Sequence, residues 1–218
     1  MGRTGHSLPT EELLRFQLDH ARARDAVYQE LDPASLGVPH VLLRSAARDR
    51  VTYLRRPDLG RILSQDSRRV LQPGEYDAAL VIADGLSATA VHHHAAPLLE
   101  GLLPRLRAEQ WALAPLTVVL QGRVAVGDEI GEQLGARMAV VLIGERPGLT
   151  SPDSLGVYLT WDPRPGRTDA ERNCVSNIRT EGLSYPAAAH KIHFLMSEAR
   201  TRKLSGVALK EDAPRELQ

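Results

Sequence analysis

Four short stretches of this sequence carry side chains that could do chemistry. His92-His93-His94 places imidazoles in a row. Consecutive residues on a helix point about 100° apart, so these rings cannot all converge on one ion. The remaining histidines, His6, His20, His40, His190 and His193, form no HExxH-type pattern, and no metal site is expected. Asp84-Gly85-Leu86-Ser87-Ala88-Thr89 lies between an apolar run and a helical stretch. Free N–H groups at such a helix start could hold a phosphate or an amide. The plainer reading is a cap by Ser87 or Thr89, with Gly85 easing the turn. Glu145 follows an apolar run and a glycine, and offers a carboxylate to amides or hydroxyls of a ligand. Taken alone, a pair with Arg146 or another arginine is the better reading of it. Cys174 is the single cysteine, and its default is a small buried apolar residue.

Other chemistries find no support. No GxGxxG follows an apolar run and no Walker sequence occurs, which argues against a nucleotide-dependent dehydrogenase or kinase. One cysteine with scattered histidines admits a thiol hydrolase, as Ser87 admits a serine one, but no local signature accompanies either. Lys+Arg and Asp+Glu both number 27, so the basic excess of a nucleic-acid binder is missing. A neutral chain also has little self-repulsion to keep it from partners. A lone cysteine makes no intramolecular disulfide. No apolar run approaches the roughly 20 residues of a membrane span. The start, MGRTGHSLPTEELL, has no apolar core of a signal peptide, and His6 stands where a myristoylation motif beginning at Met1-Gly2 needs Ser or Thr. A cytoplasmic protein is expected, with no membrane and no nucleic-acid partner.

These residues need elements to position them. The N-terminal third reads helical, with Thr10 as N-cap, Glu11 and Glu12 in the first turn, and a stop at Asp32-Pro33. A second helical piece is expected over Val41 to Val51. Arg55 to Arg69, rich in arginine with Pro57 and Gly60, reads as loop or short helices and as the connection to a second region. From Tyr76 the texture changes. Apolar runs at Tyr76–Ala83, Leu116–Leu120, Met138–Ile143 and Leu155–Trp161 alternate with helical stretches at Ser87–Leu106 and Asp128–Leu134, with Gly135 near the end of the latter. A last helix covers Pro186 to Leu204. Continuous apolar strands alternating with helices predict an α/β fold: a mostly parallel, Rossmann-like sheet flanked by helices, with a helical N-terminal region. The division expected is 1–70 for the helical region and 71–218 for the α/β domain. Such sheets bind ligands at the carboxyl ends of their strands, where Asp84–Ser87 and Gly144–Gly148 fall.

Taken together, six segments resemble one known family. LLRFQLDHARARDAV (Leu13–Val27), YLRRPDLGR (Tyr53–Arg61), ADGLSATAV (Ala83–Val91), GRVAVGDEIGEQLGA (Gly122–Ala136), GERPGLTSPDSLGVY (Gly144–Tyr158) and ERNCVSNI (Glu171–Ile178) are similar to the small subunit of ethanolamine ammonia-lyase. They occur in the family's order, at close to its spacing, from about residue 10 to about residue 210.

The resemblance implies a subunit of an adenosylcobalamin-dependent ammonia-lyase, which converts ethanolamine to acetaldehyde and ammonia. A large (β/α)8 subunit holds the substrate, and the corrinoid lies between the two subunits. It implies cofactor-binding roles for Val124, Glu145 and Cys174, and no catalytic residue in the acid–base sense. The isolated chain is expected to be inactive. Residues 1–70 are expected to contact the large subunit and 71–218 the cobalamin. An Asp-x-His-x-x-Gly loop is absent, so the cobalamin should keep its own lower base. A bacterial microcompartment is compatible with the expected cytoplasmic location. The alternatives are a stand-alone α/β module that binds a nucleotide or cobalamin without catalysis, and a hydrolase using Ser87 or Cys174.

Overall fold

The computed structural model describes residues 9–210. Met1, Gly2 and His6, on which part of the N-terminal reading turned, lie outside that range. A six-stranded sheet, in the order β1-β3-β2-β4-β5-β6, organises the chain. Strands β1 (Val41–Arg44), β2 (Ala79–Ala83), β3 (Thr117–Leu120) and β4 (Met138–Gly144) are parallel. Strand β5 (Leu155–Trp161) runs antiparallel to β4, and β6 (Arg172–Ile178) antiparallel to β5. Every residue of β2 and of β4 is buried, which is why both read as unbroken apolar runs instead of alternating ones.

Successive strand residues point to opposite faces and so feed separate cores. Leu80, Ile82, Val140 and Leu142 face one side, packed with Leu98, Leu102 and Leu195. Those partners come from α4 (Ala88–Ala108) and α6 (Tyr185–Arg202). Val81, Val119, Val141 and Ile143 face the other side, with Ile130 of α5 (Val126–Leu134). Gly135 ends α5 in the left-handed conformation at φ 72°. The chain leaves β2 by α4 to reach β3 on one side, then returns by α5 to β4 on the other. Connections that depart in opposite directions open a crevice at the carboxyl ends of β2 and β4, the switch point of the sheet. Among the described residues, no helix is long and apolar enough to cross a membrane.

The structure departs from expectation in three places, two of them in the N-terminal region. Helix α1 (Thr10–Tyr28) begins at Thr10, but Pro9 holds the cap position and no side chain caps it. The expected helix over Val41 to Val51 divides. Val41–Arg44 is strand β1, paired with β3, and only Arg50–Arg55 forms a helix, α2, capped by the Asp49 carboxylate accepting from Thr52 N at 2.7 Å. Pairing with β3 outweighs the weak local helical preference of Val41-Leu42-Leu43. The sheet therefore takes its first strand from before residue 71. The Arg-rich connection is short helices, as anticipated: a 3-10 turn at Leu59–Arg61 and α3 (Gln65–Val70).

Strand β6 is the third departure. Its buried residues are Arg172, Val175 and Ile178, an irregular pattern with a register shift against β5, so no clean alternation marks it. Being at the sheet edge, it leaves Cys174 exposed, which corrects the expectation of a buried thiol.

Candidate functional site

A 420 Å³ cleft occupies the switch point. The turn after β2 contributes Gly85 and Leu86, the segment after β3 contributes Arg123 and Val124, and the end of β4 contributes Gly144 and Glu145. Tyr53 and Tyr158 complete its walls. Two glycines let the β2 turn and the β4 end meet. Gly85 sits at φ 58°, and a Cβ there would collide with the Gly144 carbonyl. A Cβ on Gly144 would collide in turn with the Ser87 carbonyl. The contact is sealed by Leu86 N donating to Gly144 O at 2.9 Å.

Beneath the cleft lies a buried charged cluster. Both oxygens of the Asp84 carboxylate accept amides, from Gln121 N and Gly122 N at 2.9 Å each, and Arg50 stands 3.7 Å away. Burial pushes the Asp84 carboxyl up to about 6, against the opposing pull of Arg50 and those amides. Arg50 also donates to Gly85 O at 2.8 Å and to Val27 O at 2.6 Å, joining α1 and α2 to the cleft turn. Tyr53 is fully buried and donates to Gly122 O at 3.2 Å. Its ring is flanked by the guanidiniums of Arg50 and Arg123, 4.8 and 4.3 Å from the centroid. Burial raises the Tyr53 phenol above its usual value, so it stays neutral. Arg123 Nε is buried with no hydrogen-bond partner among the described residues, a donor left unmet at the cleft wall.

Glu145 is half-buried at the β4 end. Its Oε2 accepts from the Ser154 hydroxyl and from Asn177 N, the latter at 3.2 Å. The donors that meet it are thus a hydroxyl and an amide, where the sequence taken alone favoured an arginine. Gly156 leaves room for the carboxylate, since a Cβ there would lie 2.9 Å from Glu145 Oε1. Val124, half-buried, lines this cleft and also a neighbouring 620 Å³ cleft formed with Arg61, Asp128, Arg167 and Arg172. Cys174 does not line the switch-point cleft, but is the strand partner of Tyr158, which does. Burial first, then Cys174 and Glu145, raise the Tyr158 phenol above its usual value. Val124 and Glu145 therefore share one cleft, and Cys174 touches it through Tyr158.

The other singled-out segments resolve differently. In Asp84–Thr89 the capping reading holds: Ser87 is buried, its Oγ accepts from Ala90 N at 3.2 Å and donates to Pro152 O at 2.9 Å. The histidines do not converge as a trio. His92 turns to Asp32 N at 3.0 Å, but His93 and His94 both reach Asp153, which arrives on the loop between β4 and β5. Sequence reasoning missed Arg50, Tyr53, Arg123 and Tyr158. Tyr53 lay in a quoted motif, but nothing local marked its ring as buried between two arginines. The cleft offers a carboxylate from Glu145, the Arg123 guanidinium, the neutral phenol of Tyr158 and an aliphatic wall, with the Tyr53 hydroxyl already engaged by Gly122 O. That set suits recognition of a large ligand with amide and hydroxyl groups, not proton transfer at neutral pH.

Comparison with known proteins gives one consistent result. A family model described as ethanolamine ammonia-lyase light chain matches residues 1–210. The chain is 59% identical to the ethanolamine ammonia-lyase small subunit of Ralstonia nicotianae, over 98% of this chain and 84% of that one. It is 60% identical to that of Azotobacter vinelandii over the same shares. To that of Xanthomonas campestris it is 57% identical, over 100% of this chain and 85% of the relative.

Proposed function

The chain belongs to the ethanolamine ammonia-lyase light-chain family, and from that premise we propose that it holds adenosylcobalamin in the switch-point cleft, against the enzyme's large subunit. The observation that carries this reading is the convergence of Val124 and Glu145 beside Arg123, whose buried Nε lacks a partner among the described residues. The donor set fits the group. A corrin ring is rimmed by amide side chains, which both donate and accept, and by methyl groups. Glu145 can accept from such amides, the Arg123 guanidinium on the cleft wall can donate to an amide oxygen, and Val124 can lie against the apolar rim. Cys174 and Tyr158 would flank the same ligand from the antiparallel edge. When bound, adenosylcobalamin supplies the radical chemistry by which ethanolamine becomes acetaldehyde and ammonia. This chain's own residues bind and orient the group and limit its exposure to water, and none of them is assigned a proton transfer.

Residues 1–70 would contact the large subunit and 71–218 the cobalamin, with Tyr53 adding a wall of the cleft from the earlier stretch. On α1, Leu13, Leu14, Phe16 and Leu18 are each more than 40% exposed, and only Ala26 is buried. A helix that leaves such residues uncovered is suited to burial against a partner. The isolated chain is then inactive. The test is co-purification with the large subunit in the presence of adenosylcobalamin, followed by visible absorbance and ethanolamine turnover. The complex should carry the colour and the activity, and the chain alone neither. Turnover by the chain alone, or failure to associate, would overturn the proposal. Stoichiometric cobalamin retained without the large subunit would favour a free-standing binding module.

A further inference from the structure

A second cluster lies away from the cleft's walls, where α4, α6 and the β4–β5 loop meet. We propose that His93, His94 and Asp153 bind a divalent transition-metal ion of the Zn²⁺ class. The cluster's ligand atoms, one per residue, all lie within 4.8 Å of one another. Asp153 Oδ2 stands 3.3 Å from His94 Nε2 and 3.5 Å from His93 Nδ1. Ligands at roughly 2.0–2.2 Å from a tetrahedral Zn²⁺ are separated by roughly 3.3–3.6 Å, so two edges of the tetrahedron already have their length. Adjacent helix residues normally diverge too far to share an ion. Here His93 turns its near nitrogen and His94 its far nitrogen to the same carboxylate, with the two rings at 75° and 5.7 Å apart.

The surroundings fit this ligand set. The Tyr185 hydroxyl lies 2.9 Å from His94 Nδ1, the place where a metal-bound imidazole hands its other N–H to an acceptor. Without the ion, His94 carries its proton on Nε2 toward Asp153, and Tyr185 donates to Nδ1. With the ion, the tautomer reverses and Tyr185 accepts. The imidazole stays neutral in both states, and its burial favours the neutral form that ligates. His94 is nearly sealed at 3% side-chain exposure, while His93 at 58% and Asp153 at 30% leave an open side for entry and for water in the fourth position. The ion would fasten the β4–β5 loop to α4. That loop already ties Pro152 O to Ser87, and it places Ser154, next to Asp153, on the Glu145 carboxylate.

The full chain, purified without cobalamin, is loaded with ZnCl2, desalted, and assayed for bound zinc and for affinity by competition with a chromophoric chelator. Wild type and His92→Gln should hold a single Zn²⁺ per chain. His93→Gln and Asp153→Asn should bind at least about 10-fold more weakly, as expected for losing a ligand. Co²⁺ in place of zinc should give the intense visible bands of a tetrahedral site in wild type and not in His93→Gln. His93 and Asp153 are partly exposed, so unchanged melting of the zinc-free variants separates lost binding from lost folding. No zinc retained by wild type, or equal affinity in wild type, His93→Gln and Asp153→Asn, would overturn the assignment. None of these outcomes depends on whether the cleft binds cobalamin.

Discussion

Asp128→Ala should be among the most damaging single changes in the chain. Arg172 grips Asp128 with both ends of its guanidinium, at 2.6 and 2.7 Å, and each side chain is only 2% exposed. The same guanidinium donates to Thr160 Oγ1 at 2.9 Å and to Arg167 O at 2.8 Å. The pair joins α5, which begins beside Val124, to the first residue of β6, which carries Cys174. Removing the carboxylate leaves a buried positive charge poorly paired, because the remaining neighbours are two neutral oxygens and the fully exposed Asp169 carboxylate, 3.6 Å from Nε. Such losses cost about 3–5 kcal/mol. For a domain of this size that corresponds to a fall of roughly 6–20 °C in melting temperature. Thermal and urea unfolding of the full chain measure it directly. A double replacement, Asp128→Leu with Arg172→Met, removes both charges and should be far milder, neutral or even stabilising by about 1–4 kcal/mol. A cost below about 1 kcal/mol for the single change, or a double variant as unstable as the single, would refute the reasoning that desolvated charge sets the magnitude.

Three further outcomes follow from local geometry. Ser87→Ala removes the cap of α4 and should cost about 0.5–2 kcal/mol in urea unfolding; no loss would mean that Ala90 N finds another acceptor. Gly144→Ala places a Cβ against the Ser87 and Asp84 carbonyls, so it should lower the melting temperature and disturb the switch-point turn; a variant that melts like wild type would show that the backbone yields there at little cost. The Glu171 carboxyl is held down at about 2 from its ordinary 4.5, first by the Thr168 amide and then by Arg167. A depressed folded-state value contributes stability above the ordinary value and loses it as the pH falls through about 2, so urea midpoints should drop more for wild type than for Glu171→Gln between about pH 5 and about pH 2; equal drops would count against it.

Most of the sheet was legible because its central strands are buried on both faces. Ala79–Ala83, Thr117–Leu120 and Met138–Gly144 have nowhere polar to point, so each reads as an apolar run. The edges were harder. Val41–Arg44 has a partner on one side only and borrowed a helical look from its flanks, while Arg172–Ile178 alternates irregularly because its first inward residue is an arginine satisfied by Asp128. The site was partly legible for a similar reason. Glu145 stands at the end of a readable strand, so its place at the binding edge could be inferred. Arg50, Tyr53 and Arg123 meet only after α2 folds back over the turns following β2 and β3, a tertiary contact with no local signature. Cys174 took the wrong default because nothing in its immediate sequence reports that its strand is last in the sheet. His93 and His94 were set aside by helical spacing, which could not include Asp153, a residue from 59 positions away.

Glu145 as an acceptor for the proposed cofactor is tested most directly by titrating the assembled enzyme with adenosylcobalamin. Losing hydrogen bonds to a charged acceptor costs about 1.5–3 kcal/mol, so Glu145→Ala should raise the dissociation constant by roughly 10–100-fold, with Glu145→Gln affected less and turnover at saturating cofactor little changed. A melting curve of the same preparation separates this from a structural role, since the carboxylate also accepts from Ser154 and Asn177. Unaltered cofactor affinity together with a lowered melting temperature would assign Glu145 to holding the β4–β5 loop and would contradict the proposal that this cleft receives the cobalamin.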